Sequence, residues 1–488
     1  MTQDQTRDSR SPLSLSTIGL LLGPALCLGL ALAPSALLSS EAWLVIGLSA
    51  WVVTWWVSDA VPLGVTSLLP IPYLSLTGVI DLKSAATPYG SPIVFLFLGG
   101  FILAIALERW GLHQRVALKI LGLTGARADG VVFGFMASTA LLSMWMSNTA
   151  TTLMMLPIAS SVLVLLRRAG AEAGEPSAER ARGERAFAAS LMLGIAYAAN
   201  IGGAMTLIGT PPNLVLANYL EQELKAPVSF LEWLKIGVPF GLVTLMITYL
   251  LLTKVLLRSG LGEIEGAAES IDEARGALGS WSVGERRVAL IFGLTASAWV
   301  TRAQLIELGI SHLNDTAVAL IGAMSLFAIS DGRGGRLLSW EDMKRLPWDI
   351  VLLFGGGLSL ASALKDVGLM QAIGDQFGHI GGGSWLGLGL LTLTALALTE
   401  VMSNVALVTV FVPVISAVAI GAGLAPISLC VPITLAASCA FMLPMSTPPN
   451  AIVFASGELK MGQMMRAGLL LNLVAVLWIT TLCKLLLF

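Results

Sequence analysis

The stretches that decide the fold are Ser147-Asn148-Thr149 with Gly209-Thr210-Pro211-Pro212-Asn213, and Ser403-Asn404-Val405 with Ser446-Thr447-Pro448-Pro449-Asn450. Each stretch lies inside an apolar segment. A helix in such a segment should neither be broken by prolines nor carry polar groups without a reason. We therefore predict that the four stretches together form the functional site.

The composition is that of a membrane protein. Of the 488 residues, 56% are hydrophobic and 12% are charged, and the mean hydropathy is +0.84. A soluble protein is far less apolar. The sequence therefore predicts an all-α polytopic membrane protein embedded in a lipid bilayer, and the net charge of -2 argues against a nucleic-acid partner.

The two halves of the chain resemble each other. The Gly-Gly stretch at 97–100 and the one at 354–357 are separated by 257 positions, and Ser147-Asn148 and Ser403-Asn404 by 256. The two Thr-Pro-Pro-Asn stretches are separated by 237 positions. Three matched blocks in the same order indicate an internal duplication.

The uncharged segment 130–166 predicts a re-entrant hairpin. The polar triplet in its middle leaves an arm of about 16 residues on each side. At 1.5 Å per residue an arm is roughly 24 Å long, which is shorter than the ~30 Å hydrocarbon core. We therefore place the tip of the hairpin at Asn148. Before it we expect helices at 14–34, 41–58 and 62–79, a fourth from Ser91 and an interfacial helix at 109–126.

The distribution of positive charge predicts the orientation. With the amino terminus in the cytoplasm, 22 of the 28 Lys and Arg residues fall in cytoplasmic segments. This bias is typical of inner loops. The resulting topology has about 11 transmembrane helices, two re-entrant hairpins and an outer carboxyl terminus. The two halves then run in opposite directions, as the inverted repeats of secondary transporters do.

The broken helices suggest an ion site. In a continuous helix, Pro211 and Pro212 would leave the carbonyls of Leu207 and Ile208 without partners, and Pro448 and Pro449 would do so in the second half. Such oxygens suit a small hard cation. We expect new half-helices from about Asn213 and Asn450, whose amide ends favour an anion.

Fixed charges are nearly absent around these stretches. The segments 130–166, 187–220 and 385–457 contain no Lys or Arg, and their only acid is Glu400. A bound anion would be offset by helix ends, hydroxyl and amide donors, or co-bound cations. Glu400 is interpreted either as a functional acid or as a group that fixes the hairpin by hydrogen bonds.

The motifs resemble those of the divalent anion/sodium symporter (DASS) family, the INDY-type di- and tricarboxylate transporters. The resemblance rests on the two hairpin tips, the two Thr-Pro-Pro-Asn breaks, Leu96 to Phe101 and Leu398 to Asn404. It implies a homodimer in the plasma membrane, which is the inner membrane in bacteria. Each protomer would have a scaffold and a transport domain that moves in an elevator-type cycle.

The resemblance also implies a division of the chain and a set of site residues. The expected segments are a cytoplasmic tail (1–12), scaffold helices with an interfacial arm (13–127), a first transport-domain segment (128–258), a cytoplasmic linker (259–285), scaffold helices with an arm (286–382) and a second transport-domain segment (383–488). One sodium ion would be bound by Ser143, Ser147, Asn148 and Gly209, and a second by Thr399, Met402, Asn404 and Ser446. The substrate-binding residues would be Ser147, Asn148, Thr149, Thr210, Pro211, Ser403, Asn404, Val405, Thr447 and Pro448.

The family resemblance predicts sodium-coupled transport of dicarboxylates of the succinate, malate, fumarate and 2-oxoglutarate class. Sodium would be co-transported. Val405 departs from the threonine of most bacterial members, which leaves citrate open as a substrate. Sodium-independent exchange, sulfate transport and an arsenite-type or other ion transporter are the alternatives. The hairpins offer a single acid and no nucleophile with a base, so we do not expect an enzyme.

Overall fold

The structure, a computed structural model, describes residues 15–32, 38–172, 178–264, 266–377 and 383–488. The tail expected over 1–12 lies outside the described residues. Within them the protein is helical, and the β pairing consists of isolated bridges between Arg127 and Glu263 and between Ser330 and Arg336.

The first half of the described chain contains helices α1 to α12 and a 3-10 turn at Thr87–Gly90. They are α1 (Leu15–Ala31), α2 (Ser40–Ser58), α3 (Leu63–Thr66), α4 (Pro70–Leu76), α5 (Leu82–Ala86), α6 (Pro92–Arg109), α7 (Leu112–Thr124), α8 (Ala128–Ser143), α9 (Asn148–Glu172), α10 (Ala178–Met205), α11 (Pro211–Leu224) and α12 (Phe230–Leu250), the last continued by a π-helical turn at Leu251–Leu256.

The second half of the described chain contains helices α13 to α23 and a 3-10 turn at Trp340–Arg345. They are α13 (Ala267–Ala277), α14 (Val283–Val300), α15 (Arg302–Glu307), α16 (Asp315–Ala328), α17 (Trp348–Asp366), α18 (Leu369–Phe377), α19 (Trp385–Thr399), α20 (Asn404–Gly421), α21 (Pro426–Ala437), α22 (Pro448–Ala455) and α23 (Met461–Leu487).

One expectation about local structure needs correction. The single helix expected at 62–79 is divided into α3 and α4, because Pro70 lacks an amide hydrogen and starts a new helix. The segment 259–285, expected to be a linker, contains the helix α13, which is rich in alanine and carries an Asp272–Arg275 ion pair of 3.6 Å one turn apart.

The membrane character of the chain is visible in its helices. Among the described residues, eight helical segments are long and apolar enough to cross a membrane, and six more apolar helical segments are shorter. The shorter group includes α8 and α19, the first arms of the two hairpins, whereas α9 and α20, the second arms, provide segments of the longer group. The short arms expected on both sides of the first tip are therefore found on one side only, because α9 continues past the uncharged segment to Glu172.

One compact unit comprises the described residues up to Ser91 together with Pro347–Gln376. Here α1 packs on α2, and α17 packs on α3 and the turn at Thr87–Gly90. Gly356 lies so close to Ser67 that a Cβ at Gly356 would be 2.3 Å from the Ser67 carbonyl oxygen. The Tyr89 hydroxyl donates a hydrogen bond to that same carbonyl.

The other unit comprises Pro92–Leu346 and Phe377–Phe488. It contains both hairpin tips and both Thr-Pro-Pro-Asn stretches. Its α10 is buried from Phe187 to Met205 and packs on α8, α9, α12 and α22, while α21 packs on α19, α20 and α23. Each of these central helices leads directly into a broken segment. These two units are defined by how the helices pack. The scaffold and transport domains are defined by which parts move together, and that division stays a prediction.

Candidate functional site

The first hairpin turns between α8, which ends at Ser143, and α9, which begins at Asn148. The break expected at Asn148 is confirmed. Ser147 Oγ accepts a hydrogen bond from the Ala150 amide (3.2 Å), so this serine caps α9. Asn148 and Thr149 are half-buried at the start of the helix.

Oxygen atoms crowd around Asn148. Ser143 Oγ lies 2.7 Å from both Asn148 Oδ1 and the carbonyl oxygen of Ala199. A hydroxyl has one proton to donate, so it can donate fully to only one of these two oxygens. Clustered hydroxyl, amide and carbonyl oxygens are also the ligands that a small hard cation takes.

Gly209 adds backbone to the same cluster. A Cβ at Gly209 would lie 2.5 Å from the Gly203 carbonyl oxygen and 3.0 Å from that of Ser143. Only glycine permits so close an approach. The structure thus brings together Ser143, Asn148 and Gly209, three of the four residues expected at the first sodium ion. The fourth, Ser147, follows directly in the turn.

The first broken helix differs in detail from the expectation. The chain is non-helical over 206–210, and α11 starts at Pro211 rather than about Asn213. The prolines therefore occupy the first turn of a helix, where their missing amide hydrogens cost nothing. Asn213 Nδ2 lies 2.8 Å from the Thr206 carbonyl oxygen and 3.3 Å from that of Gly203. Carbonyls at the break are thus partly satisfied by the protein itself.

The second hairpin repeats the first. It turns between Thr399, the end of α19, and Asn404, the start of α20. Thr399 Oγ1 lies 2.7 Å from Asn404 Oδ1 and 2.9 Å from the Ala437 carbonyl oxygen. One hydroxyl proton again faces two acceptor oxygens. The same arrangement in both halves identifies two equivalent half-sites, as the duplication predicts.

The second broken helix is longer. The chain is non-helical from Ser438 to Thr447, and α22 starts at Pro448 rather than about Asn450. Asn450 Nδ2 lies 3.0 Å from the carbonyl oxygens of both Ala440 and Leu443, in the positions that Gly203 and Thr206 have in the first half. Thr447 Oγ1 accepts from the Asn450 amide (3.4 Å), whereas Thr210 makes no such cap.

Glu400 stabilises this longer break. Its carboxylate is 6% exposed and accepts hydrogen bonds from the amides of Phe441 (2.9 Å), Met442 (3.0 Å) and Leu443 (3.3 Å). It also accepts from Ser446 Oγ and Asn472 Nδ2, both at 2.7 Å. Of the two interpretations of Glu400, these contacts favour the group that fixes the hairpin. Ser446, predicted to bind the second sodium ion, donates to this carboxylate, and no hydrogen bond among the described residues links it to Thr399, Met402 or Asn404.

Aromatic packing distinguishes the two tips. The Trp145 indole stacks on Phe230 and Trp299, with ring centroids 5.9 Å and 6.4 Å away, and meets Phe292 edge-on at 4.9 Å. The equivalent residue of the second tip, 256 positions on, is Val401, which is 68% exposed. The first tip is therefore anchored by aromatic rings and the second by Glu400.

Asn200 is the residue that sequence reasoning missed. Its Oδ1 lies 3.3 Å from Asn148 Nδ2, and its Nδ2 lies 3.1 Å from Thr447 Oγ1. It therefore connects the first tip to the second break. In the sequence, Asn200 is notable as an asparagine in an uncharged segment. Asn218 is notable for the same reason but lies on α11, beyond the break, so this pattern does not distinguish the two.

The remaining predicted residues have defined places but fewer contacts. Ser403 and Val405 are half-buried at the start of α20, and Thr409 Oγ1 donates to the Val405 carbonyl oxygen (2.8 Å). Met402 is half-buried in the turn before them. No hydrogen bond among the described residues links Thr149, Ser403 or Val405 to the opposite half-site. Their role in substrate binding remains a prediction.

The predicted ion ligands of the site are uncharged oxygen groups. The described residues contain no group of three or more His, Cys, Asp and Glu side chains that could hold a metal ion. A cation here would be bound by hydroxyl, amide and carbonyl oxygens. An anion would meet the amino ends of α11 and α22, where prolines fill the first two positions and the helix dipole and the following amides provide the positive potential.

Comparison with known proteins gives a consistent result. Residues 16–486 match the family model described as the sodium:sulfate symporter transmembrane region. The chain is 38% identical over 467 residues to the sodium-dependent dicarboxylate transporter SdcS of Staphylococcus aureus, covering 94% of this chain and 89% of that protein. SdcS of Staphylococcus saprophyticus is 36% identical over 468 residues, with the same coverage.

Two solved structures share the fold. The YdaH transporter of Alcanivorax borkumensis superposes with a TM-score of 0.50, covering 96% of this chain and 97% of that one. MtrF of Neisseria gonorrhoeae gives 0.56 and covers 99% and 96%. Both are 14% identical in sequence, so they support the architecture alone.

Proposed function

Since this chain belongs to the sodium:sulfate symporter family and is a membrane transporter rather than an enzyme, we propose that it carries dicarboxylates of the succinate class into the cell together with sodium ions. The observation that supports this most directly is the pair of oxygen clusters. In each, a single hydroxyl proton lies between an asparagine oxygen and a backbone carbonyl. The curated relatives are named for the same activity.

The absence of fixed positive charge explains the coupling. A dicarboxylate carries two negative charges, and the segments around the site contain no Lys or Arg. Bringing such an anion to membrane depth without compensation is costly. Sodium ions at the two half-sites, together with the amino ends of α11 and α22, supply the missing positive potential. The anion therefore binds well only after sodium.

The remaining features of the proposal come from the family resemblance. We place the protein in the plasma membrane as a homodimer, with a cytoplasmic amino terminus and an outer carboxyl terminus. Alternating access would come from elevator-type movement of a transport domain. Light scattering of the purified protein tests the dimer, and accessibility of single introduced cysteines tests the orientation.

Uptake into proteoliposomes tests the proposed function. We expect labelled succinate to accumulate when sodium is higher outside, and not when potassium replaces it. Unlabelled malate and fumarate should compete, as should citrate if the site accepts it. Sodium-independent uptake stimulated by internal succinate would replace symport with exchange. No carboxylate uptake under either condition would overturn the proposal.

Val405→Thr tests where substrate choice is set. Val405 is the position at which the second tip lacks the hydroxyl of Thr149 in the first tip. A new hydroxyl adds a donor for a substrate carboxylate, worth roughly 1 kcal/mol, or about fivefold in affinity. We expect the ratio of succinate to citrate affinity to change by about that factor while the sodium dependence stays the same. Competition curves measure the ratio, and Val408→Thr, one turn deeper, is the control.

A further inference from the structure

We propose that Asn200 is a positioning residue that transmits sodium binding at the first half-site to the substrate-facing end of α22. The inference rests on the proposed function and extends it. It assigns the coupling between sodium binding and anion binding to the Asn200 side chain, which is not among the predicted ligands of either sodium ion.

The contacts form an unbroken chain. Ser143 Oγ lies 2.7 Å from Asn148 Oδ1, and Asn148 Nδ2 lies 3.3 Å from Asn200 Oδ1. Asn200 Nδ2 lies 3.1 Å from Thr447 Oγ1. Thr447 Oγ1 in turn accepts from the Asn450 amide (3.4 Å). Asn200 is 1% exposed, so water does not substitute for either of its contacts.

The chemistry of the amide groups gives this chain a direction. A cation at the first half-site attracts Asn148 Oδ1, which turns Asn148 Nδ2 towards Asn200. Asn200 must then present its oxygen to Asn148 and its nitrogen to Thr447. Reversing Asn148 alone would place its oxygen against that of Asn200. Sodium therefore stabilises the orientation of both amides that the structure shows.

The last step acts on the Thr447 hydroxyl. Its oxygen accepts one hydrogen from Asn200 and one from the Asn450 amide, which occupies both of its lone pairs. The hydroxyl proton is then left to be donated. A donor at the amino end of a half-helix suits a carboxylate. Sodium in one half thus makes Thr447 a donor for the anion in the other.

The other half has no equivalent relay. The Ser143 and Thr399 hydroxyls contact the carbonyl oxygens of Ala199 and Ala437, so Asn200 corresponds to Ser438 in the second half. Ser438 is buried, and its hydroxyl has no hydrogen-bond partner among the described residues. Thr210 forms no side-chain cap on α11. Coupling through this route therefore runs from the first half-site to the second.

The test measures how strongly sodium and succinate promote each other's binding. Isothermal titration of the purified full chain gives the succinate affinity in sodium and in potassium, and the sodium affinity with and without succinate. We expect each ligand to raise the affinity of the other by roughly tenfold or more in the wild type. In Asn200→Ala this factor should fall to below about twofold. Sodium affinity measured alone should change much less.

Three further variants separate coupling from folding. Asn218→Ala removes an equally buried asparagine, 1% exposed, and should keep the full coupling factor. If Asn200→Ala fails to fold, Thr447→Val breaks the relay at its other end and should lose coupling with sodium affinity retained. Thr447→Ser keeps the hydroxyl and should restore coupling.

The outcomes are distinct. If the wild type binds succinate equally well in sodium and potassium, the proposed function itself is wrong. If the wild type shows coupling and both Asn200→Ala and Thr447→Val keep it, the relay alone is wrong. If Asn200→Ala weakens sodium binding and the coupling factor is unchanged, Asn200 supports the ion site and transmits nothing.

Discussion

Asn148→Ala should abolish sodium-driven succinate uptake. The variant removes an oxygen from the first ion cluster and a nitrogen that donates to Asn200, two contacts of 2.7 Å and 3.3 Å. Loss of one ion-ligating oxygen together with an unpaired neighbour is worth about 3 kcal/mol, or roughly a hundredfold in affinity. Initial uptake rates in proteoliposomes measure the loss, and Asn404→Ala should behave alike in the second half.

Expression and oligomeric state should remain those of the wild type, because Asn148 lies at the start of a helix rather than in a packed core. Asn218→Ala is the control for removal of an asparagine amide. Near-normal uptake with unchanged sodium dependence in Asn148→Ala would show that the cluster around Ser143 is only a helix terminus. In that case the ion site lies elsewhere in the unit.

Glu400→Gln should have the second large effect, and it should be on stability. Five donors converge on the carboxylate: three amides, the Ser446 hydroxyl and the Asn472 amide. Glutamine offers one acceptor oxygen and turns an NH2 group towards the remaining donors. Each buried donor left unpaired costs about 1–3 kcal/mol. We expect the variant to unfold several degrees lower in a thermal denaturation assay and to lose transport as a consequence.

The matched control is Glu273→Gln, which removes an exposed carboxylate on α13 and should leave the melting temperature unchanged. Sodium affinity provides the decisive comparison. If Glu400→Gln melts like the wild type but requires far more sodium, then Glu400 is a functional acid and its structural role is refuted. Equal losses of stability and transport would support the structural role.

The sequence was informative where a rule depends on nearby residues. An uncharged segment with a central polar triplet predicted the first hairpin tip, and the duplication predicted the second. The breaks at Asn148 and Asn404 are confirmed, and Ser143 and Thr399 make equivalent contacts. Polar triplets and residue spacing are local quantities, so they can be read from the chain.

Contacts between distant segments could not be read in this way. Glu400 lies about 40 positions from the amides that it accepts from, and Asn200 lies 247 positions from Thr447. Asn200 and Asn218, the two asparagines of the first half that lie outside the polar triplet and the Thr-Pro-Pro-Asn stretch, would both have satisfied the same sequence rule. The prolines were misread for a related reason. A proline ends one helix or begins the next, and the geometry of the preceding turn decides which.

The contact between Glu400 and Asn472 bears on how the protein is made. Asn472 belongs to α23, which follows both hairpins and both broken helices in the chain and contributes no residue to either predicted sodium set. The non-helical segment before α22 is complete only when α23 has docked against it, since a Cβ placed on Gly468 of α23 would lie 2.4 Å from the Phe441 carbonyl oxygen. During synthesis, the first half-site can therefore form before α23 has been made, whereas the second cannot. A nascent chain that ends before α23 would contain every predicted ligand. It would still lack the helix against which the second half-site is packed.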